Sequence, residues 1–207
     1  MSKGLPTILQ GKKICIICEG YEEYEYILKL IELKVWNSEY IFYPINAETN
    51  GNIPARYQDA YQSDSYDIVL IFCDTDKKPY HDYELIKQKI NNFHGNDVAA
   101  DLVVIYGNPC TMQIIILHWD DIKLTSPGKH KSGIEIKRLL GIDKYKARED
   151  QRQQLFANVT KDNYLLMKER VKKLLDDDTK VSSSNFGKFI RYFSGNDMWI
   201  KEINDSL

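Results

Sequence analysis

Apolar positions in the first part of the chain follow two alternating patterns. Short continuous apolar runs predict buried strands, and apolar residues three and four positions apart predict helices with one buried face. The predicted strands cover residues 13–18, 41–45, 67–73 and 101–106. The predicted helices cover residues 21–35, 56–62, 83–93 and 112–119, with a strand as the alternative for the last segment. This alternation indicates an α/β fold with a small, mostly parallel sheet flanked by helices.

The second part of the chain follows a different pattern. From about residue 120 onward the sequence is more polar, rich in lysine, and periodic mainly at helical spacing. Residues 182–185 are typical of a cap before a helix, which we predict over residues 186–193. We therefore expect an α/β core over residues 1–119 and a mainly helical extension over residues 120–207 that packs on this core.

The composition is that of an ordinary globular protein. The 207 residues are 43% hydrophobic and 28% charged, which argues against a largely disordered chain. No run of about 18 apolar residues indicates a membrane span, and residues 1–11 lack the apolar stretch of a signal peptide. These features predict a cytoplasmic protein that has no membrane partner.

The four cysteines are expected to be reduced thiols. They lie at positions 15, 18, 73 and 110, and three of them fall within apolar stretches that predict buried strands. Cys15 and Cys18 form a C-x-x-C pair, but a three-residue spacing along a strand directs the two side chains to opposite faces. Since no second Cys or His pair follows at zinc spacing, the sequence favours neither a zinc site nor a redox site.

Acidic residues follow two of the predicted strands directly. Glu19 comes after the first strand, and Asp74 and Asp76 come after the strand over residues 67–73. The carboxyl ends of parallel strands meet at one edge of a sheet, and a spacing of two in extended geometry directs Asp74 and Asp76 to the same side. Clustered carboxylates with no His or Cys suit Mg²⁺ or Mn²⁺. The alternative is that the aspartates belong to a turn or a helix cap.

Three segments of the chain resemble motifs of RloB-like proteins in the Toprim superfamily. Residues 18–26 resemble the E-G-x-T-E-x-x-Y opening, residues 72–76 resemble the D-x-D strand end, and residues 108–119 resemble an N-P-C-F-E-L-W-L-L-L-H-F segment. Two further matches, at residues 144–146 and 184–188, are much less specific. The chain departs from these motifs at two positions. Glu22 stands at the threonine position of the opening motif, and Met112 stands at the glutamate position of the third segment.

The resemblance implies a Toprim fold and a Mg²⁺-dependent (or Mn²⁺-dependent) nuclease acting on DNA or RNA, with a role in defence against phage. It also implies an association with a partner ATPase or another defence-system subunit, and a homo-oligomer is compatible with the sequence. The implied catalytic and metal-binding residues are Glu19, Asp74 and Asp76, with Glu19 as general acid or base. The supporting residues are Gly20, which would let a phosphate approach closely, Glu23 and His118.

Basic residues supply the expected substrate contacts. Lysine and arginine gather over residues 129–152, and this surface could hold a phosphate backbone over the acidic centre. The expected substrate-binding residues are Lys77, Lys78, Lys144, Lys146 and Arg148. The alternative is that these side chains only solvate turns and helix faces. For His118 the alternative is a hydrogen-bonded core histidine, which its apolar surroundings in the sequence favour.

Three other functions stay open on the sequence. One is a narrow RNA endonuclease that processes transfer RNA or ribosomal RNA. Another is a non-catalytic nucleic-acid-binding subunit of the same fold, which the Met112 departure favours and the three retained acids disfavour. The third is a signalling domain of the response-regulator type. That domain would need a lysine at the end of its last strand, where residues 107–109 read Gly-Asn-Pro instead.

Overall fold

The computed structural model describes residues 11–207, apart from the side chain of Lys129. The expectation about a signal peptide therefore concerns residues that lie outside this part of the chain, except for Gly11. Across the described residues, no helix is both long and apolar enough to cross a membrane. All four cysteines are buried free thiols, as the sequence predicts.

A five-stranded sheet forms the centre of the molecule. Its strands are β1 (Lys12–Cys18), β2 (Tyr40–Asn46), β3 (Ile68–Asp74), β4 (Val104–Asn108) and β5 (Ser183–Ser184). Their order in the sheet is β2-β1-β3-β4-β5, with the first four strands parallel and β5 antiparallel to β4. The α/β class and the mostly parallel sheet that the sequence predicts are thus confirmed.

Helices flank this sheet. They are α1 (Tyr21–Glu32), α2 (Ile53–Gln62), α3 (His81–His94), α4 (Ala99–Val103), α5 (Met112–Ile116), α6 (Lys129–Leu140), α7 (Glu149–Ala157), α8 (Lys161–Val171), α9 (Phe186–Ser194) and α10 (Met198–Asn204). A short 3₁₀ turn (Asn50–Asn52) precedes α2. Helix α1 ends three residues before the predicted boundary, and Lys34 then adopts a left-handed backbone conformation with φ of 52°.

The predicted strand over residues 101–106 is wrong in its first half. Residues 99–103 form α4, and the backbone N–H of Ala100 donates to the Asn91 side chain at 2.8 Å. Strand β4 then begins at Val104 and continues through Gly107 to Asn108, beyond the expected break. Gly107 lies opposite Asp74 in the parallel ladder. The strand therefore extends to the edge of the sheet where the predicted acidic residues lie.

Residues on both sides of position 120 contribute to one hydrophobic core. Strands β1 and β3 are buried almost throughout, as expected for central strands covered on both faces. The ring of Phe186 in α9 stacks on Phe72 of β3 at 5.6 Å between centroids. Helix α10, which follows α9, contacts the opposite edge strand of the sheet. The indole N–H of its Trp199 donates to the hydroxyl of Tyr40 in β2 at 3.1 Å.

Within the predicted cap at residues 182–185, Asn185 and Ser184 have different roles. Helix α9 begins at Phe186 as predicted, but the side chain of Asn185 makes no capping hydrogen bond. Instead, its amide accepts from Tyr106 N at 3.0 Å and donates to Val104 O at 2.7 Å, on the edge of β4. The cap is supplied by Ser184, whose hydroxyl oxygen accepts from Phe186 N at 3.0 Å.

Candidate functional site

The pairing of β1 with β3 brings two of the predicted acidic residues together. Cys18 lies opposite Phe72 in the ladder, and Glu19 N donates to Phe72 O at 3.0 Å directly after β1 ends. The side-chain Oε2 of Glu19 then accepts from Asp74 N at 2.8 Å. Glu19 and Asp74 therefore lie side by side at the carboxyl edge of the parallel sheet, where ligands bind in open α/β folds.

Asp74 is held by Thr111, which stands at the phenylalanine position of the third motif and whose contact with Asp74 the sequence did not predict. Both the backbone N–H and the hydroxyl of Thr111 donate to Asp74 Oδ1, the hydroxyl at 2.6 Å. This contact depends on Gly107, because a Cβ there would lie 2.8 Å from the Thr111 backbone. Only glycine leaves room for the turn after β4 to fold back onto Asp74.

Glu23 is a buried member of the same acidic group. Its Oε2 accepts from Gly20 N at 3.1 Å, which is the return hydrogen bond of a capping box at the start of α1. Burial, and secondly the charge of Glu19, raise the pKa of Glu23 to about 7. The pKa of Asp74 is raised well above its usual value, first by burial and then by the charge of Glu23. Glu19, Glu23 and Asp74 thus form one electrostatically coupled cluster, which we call the acidic centre.

Asp76 lies beside the acidic centre in a conformation that the sequence did not predict. Strand β3 ends at Asp74, and Asp76 has a left-handed backbone with φ of 60°. The expectation of extended geometry at Asp76 is therefore wrong, while the charge of Asp76 still contributes to the raised pKa of Asp74. The Asp76 carboxylate accepts a long hydrogen bond of 3.5 Å from Asn50, and burial is the main cause that raises its pKa.

The donor set suits a hard divalent cation, since it consists of partly or fully buried carboxylates whose charges raise one another's pKa values. Within residues 11–207, however, no three His, Cys, Asp or Glu side chains are arranged so that together they could hold a metal ion. Mg²⁺ commonly binds through only one or two carboxylates, with water and substrate phosphate as its other ligands. Such a site at Asp74 and Asp76 fits the residues that are present.

His118 is a core histidine. It is fully buried, and its ring hydrogen-bonds to Tyr26 and Asn163, neither of which belongs to the acidic centre. Asn163 Oδ1 also accepts from Thr160 N, which makes it the acceptor and places the proton on His118 Nδ1. His118 Nε2 then accepts from the hydroxyl of Tyr26 at 2.9 Å. Burial lowers the pKa of His118 to about 4, so the ring is neutral at pH 7. The expectation that His118 supports the acidic centre is not matched by its contacts.

The predicted lysine and arginine contacts are exposed. Lys77 and Lys78 lie in the turn directly after Asp76, and the ammonium of Lys78 lies 5.8 Å from the centroid of the Tyr80 ring. Lys144, Lys146 and Arg148 are also exposed. Their long side chains are therefore accessible to a partner in solution.

The basic residues of the second part lie next to the start of α1. Tyr145, which is buried between Lys144 and Lys146, donates from its hydroxyl to Glu22 at 2.9 Å. Arg152 donates to Glu25 at 2.8 Å. Because α1 begins two residues after Glu19, these contacts bring the basic segment close to the acidic centre. Glu22, which stands at the threonine position of the RloB-like motif, thus makes one of the two contacts between α1 and the basic segment. The other departure, Met112, is buried and apolar.

Comparisons with known proteins add no relative: no family model matches the chain, and no curated protein or solved structure does either.

Proposed function

We propose that the protein is a Mg²⁺-dependent (or Mn²⁺-dependent) phosphodiester nuclease with a fold of the Toprim type, acting on DNA or RNA. The observation that carries this proposal is the acidic centre at the carboxyl edge of the parallel sheet, where Glu19 Oε2 accepts from Asp74 N at 2.8 Å. Clustering three partly or fully buried carboxylates is costly unless a cation or a proton offsets their charge. The centre therefore suits either metal binding or proton transfer, and a metal nuclease uses both.

Each residue of the proposed site has a role that follows from its position. Asp74 and Asp76 would hold the cation, and a bound Mg²⁺ supplies charge stabilisation at the phosphate and a more acidic water. Thr111 fixes the carboxylate of Asp74. Glu23 could take up or release a proton near neutral pH, because burial and the charge of Glu19 raise its pKa to about 7. Lys77 and Lys78, together with the basic segment, would contact the phosphate backbone.

The direct test is cleavage of labelled single-stranded and duplex DNA and RNA in Mg²⁺, Mn²⁺ or EDTA. We expect the wild type to cleave at least one pool with added metal, and Asp74→Asn to lose about 100-fold in rate, since metal stabilisation of charge amounts to several kcal/mol. Asp59→Asn, which changes an exposed carboxylate on α2, is the matched control and should keep the wild-type rate. Equal rates for Asp74→Asn and wild type would refute the assignment.

Thermal unfolding gives a second readout that does not depend on turnover. A cation that binds only the folded state raises the melting temperature, and at 100 times its dissociation constant it adds about 2.7 kcal/mol. We expect millimolar Mg²⁺ to raise the melting temperature of the wild type and to have little effect on Asp74→Asn. A melting temperature that Mg²⁺ leaves unchanged in both proteins would count against the metal site.

A non-catalytic nucleic-acid-binding subunit is the second candidate. Two observations favour it: Met112 occupies the position of a motif glutamate, and the described residues contain no ready three-ligand metal group. This candidate predicts that the wild type binds nucleic acid but cleaves none of the pools in either metal. If the wild type cleaves RNA alone, and at one position, the narrow RNA endonuclease is the better description. Roles in phage defence and with a partner ATPase belong to the proposal through the family resemblance alone.

A further inference from the structure

A pocket of about 320 Å³ lies between α6 and the segment that contains Tyr145. Gly133, Ile134 and Lys137 line it from α6, and Lys144, Tyr145 and Lys146 line it from the opposite side. Its lining is mostly apolar, and Ile134 is 51% exposed there. Exposed lysines stand at its border. The pocket therefore combines apolar lining, which includes Ile134, with lysine side chains.

The pocket is held in shape by buried contacts. The amide of Gln151 donates to the backbone oxygens of Asp143 and Lys144, each at 3.1 Å, and accepts from Lys146 N at 2.8 Å. Gln151 itself is buried, so the three hydrogen bonds fix the segment against α7. On the other side, a Cβ at Gly133 would lie 3.4 Å from the Tyr145 carbonyl oxygen, so α6 packs directly against this segment at van der Waals distance. The pocket is thus largely formed before any ligand binds.

The charges around the pocket favour an anionic ligand with an apolar part. Lys137 is paired with Asp143 at 2.9 Å, which offsets one positive charge at the pocket. Lys144 and Lys146 add positive charge beside the apolar lining. A nucleotide combines a flat base, which buries well on apolar side chains, with a phosphate that lysine binds. The volume is near the lower end for ligand pockets and suits one base or nucleoside rather than a duplex.

We propose that this pocket receives the base of one unpaired nucleotide of the substrate strand, while Lys144 and Lys146 contact the neighbouring phosphates. The proposal rests on the proposed function in that the ligand is a nucleic-acid substrate. A base inside a duplex is stacked and cannot enter, so the substrate class is single-stranded nucleic acid, or a duplex with an unpaired nucleotide. The hydrogen bond from Tyr145 to Glu22 connects the pocket to the helix that begins beside the acidic centre.

Binding measurements on the full chain test the pocket without turnover. In the Asp74→Asn background, a single-stranded oligonucleotide, a blunt duplex of the same length and adenosine monophosphate are titrated by fluorescence anisotropy or competition. Ile134→Gln removes apolar lining without adding charge, and Leu165→Gln is the matched control, since Leu165 is 60% exposed on α8. We expect Ile134→Gln to weaken single-strand binding about tenfold, as for a lost base contact, and to change duplex binding less than twofold. Leu165→Gln should change neither.

The inference is overturned if Ile134→Gln leaves single-strand affinity unchanged or weakens both forms equally. It is also overturned if the duplex binds as tightly as the single strand, or if adenosine monophosphate binds more tightly than the oligonucleotide, which would identify a free nucleotide as the ligand. The two proposals fail separately. If the expected binding pattern appears and no pool is cleaved, the nuclease proposal is refuted and the base-binding pocket is supported. If blunt duplex and single strand are cleaved equally and Ile134→Gln leaves single-strand affinity unchanged, the base-binding pocket is refuted and the nuclease proposal is supported.

Discussion

At the scale of single residues, Glu23 links folding to the chemistry of the acidic centre. Burial and the charge of Glu19 raise its pKa from 4.5 to about 7. At pH values between 4.5 and about 7, the Glu23 carboxyl group therefore binds more protons in the folded protein than in the unfolded chain. Its stabilising effect is complete below about pH 4.5 and is lost as the pH rises through 7. The contribution of Glu23 to the free energy of unfolding of the metal-free protein is therefore larger at pH 5 than at pH 8.

Glu23→Gln tests this linkage, because glutamine keeps an acceptor for Gly20 N and removes the titration. We expect the free energy of unfolding of the wild type, relative to Glu23→Gln, to fall by roughly 2 kcal/mol between pH 5 and pH 8. Urea unfolding in EDTA measures both proteins. His118 has the opposite effect, since its lowered pKa costs stability below pH 6.5, but it is present in both and cancels in the comparison. Glu84→Gln, on the exposed face of α3, is the control. Parallel pH curves for wild type and Glu23→Gln would contradict the coupling.

Only part of the acidic centre could be predicted from the sequence. Glu19 and Asp74 follow apolar runs, and the rule that parallel strands end at one edge is enough to bring them together. Thr111 carries no such signal, since its contact with Asp74 depends on how the turn after β4 folds over Gly107. The conformation of Asp76 was mispredicted because strand geometry was extended two residues beyond the end of β3.

At the scale of elements, Asn185 continues a strand with its side chain. Strand β5 has only two residues, and they pair with Gly107 and Asn108. The Asn185 amide then hydrogen-bonds Tyr106 N and Val104 O, two backbone groups further along the edge of β4. A primary amide carries the same donor and acceptor as a peptide unit. The Asn185 side chain therefore satisfies two backbone groups of the β4 edge that β5 is too short to reach.

Asn185→Ala leaves one buried N–H and one buried C=O without a partner. Since each unsatisfied group costs about 1–3 kcal/mol, we expect the free energy of unfolding to fall by about 2–4 kcal/mol. Urea denaturation measures the change, and Asn92→Ala, at an exposed position of α3, should shift it by less than about 0.5 kcal/mol. A loss for Asn185→Ala that is no larger than this control would show that the edge of β4 finds other partners.

Element type was easier to predict than element boundaries. Long apolar runs such as β3 and periodic helices such as α1 were predicted correctly, because burial dictates both patterns. Strand β5 could not be predicted, since two serines carry no apolar periodicity and their pairing depends on β4 being in place. Residues 101–103 joined α4 instead of β4, because the preceding Ala99 and Ala100 extend the helical turn that Asn91 anchors.

At the scale of the whole molecule, charge distribution matters more than net charge. The chain carries a net charge of −2, yet residues 129–152 contain eight lysine and arginine residues against four acids. The contacts of Tyr145 and Arg152 with α1 bring part of this basic region near the acidic centre. The basic region could therefore bind a polyanion and place it next to the acidic centre.

Neutralising Lys144, Lys146 and Arg148 together to glutamine tests the basic surface. We expect weaker binding of a single strand and a decrease of about 2 in the slope of log affinity against log salt, because each lost phosphate contact changes it by about 0.7. Titrations at two salt concentrations give the slope. The control changes Lys161, Lys180 and Lys201, three exposed lysines elsewhere, to glutamine and so alters the net charge equally. The same slope in both triple variants would mean that the basic surface only contributes to overall charge.

Residues 183–204 contact the parallel strands at both ends of their order, β4 and β2, and these contacts can form only late in synthesis. Strand β5 and Asn185 cover β4, while Trp199 reaches Tyr40 of β2. A ribosome that adds about 5–20 residues per second needs roughly 5–20 s to progress from β4 to α10. During this interval, the backbone groups at the edge of β4 have no intramolecular strand partner, and exposed strand edges favour aggregation. The edge of β4 is thus exposed from the time the acidic centre has been synthesised until these last contacts can form.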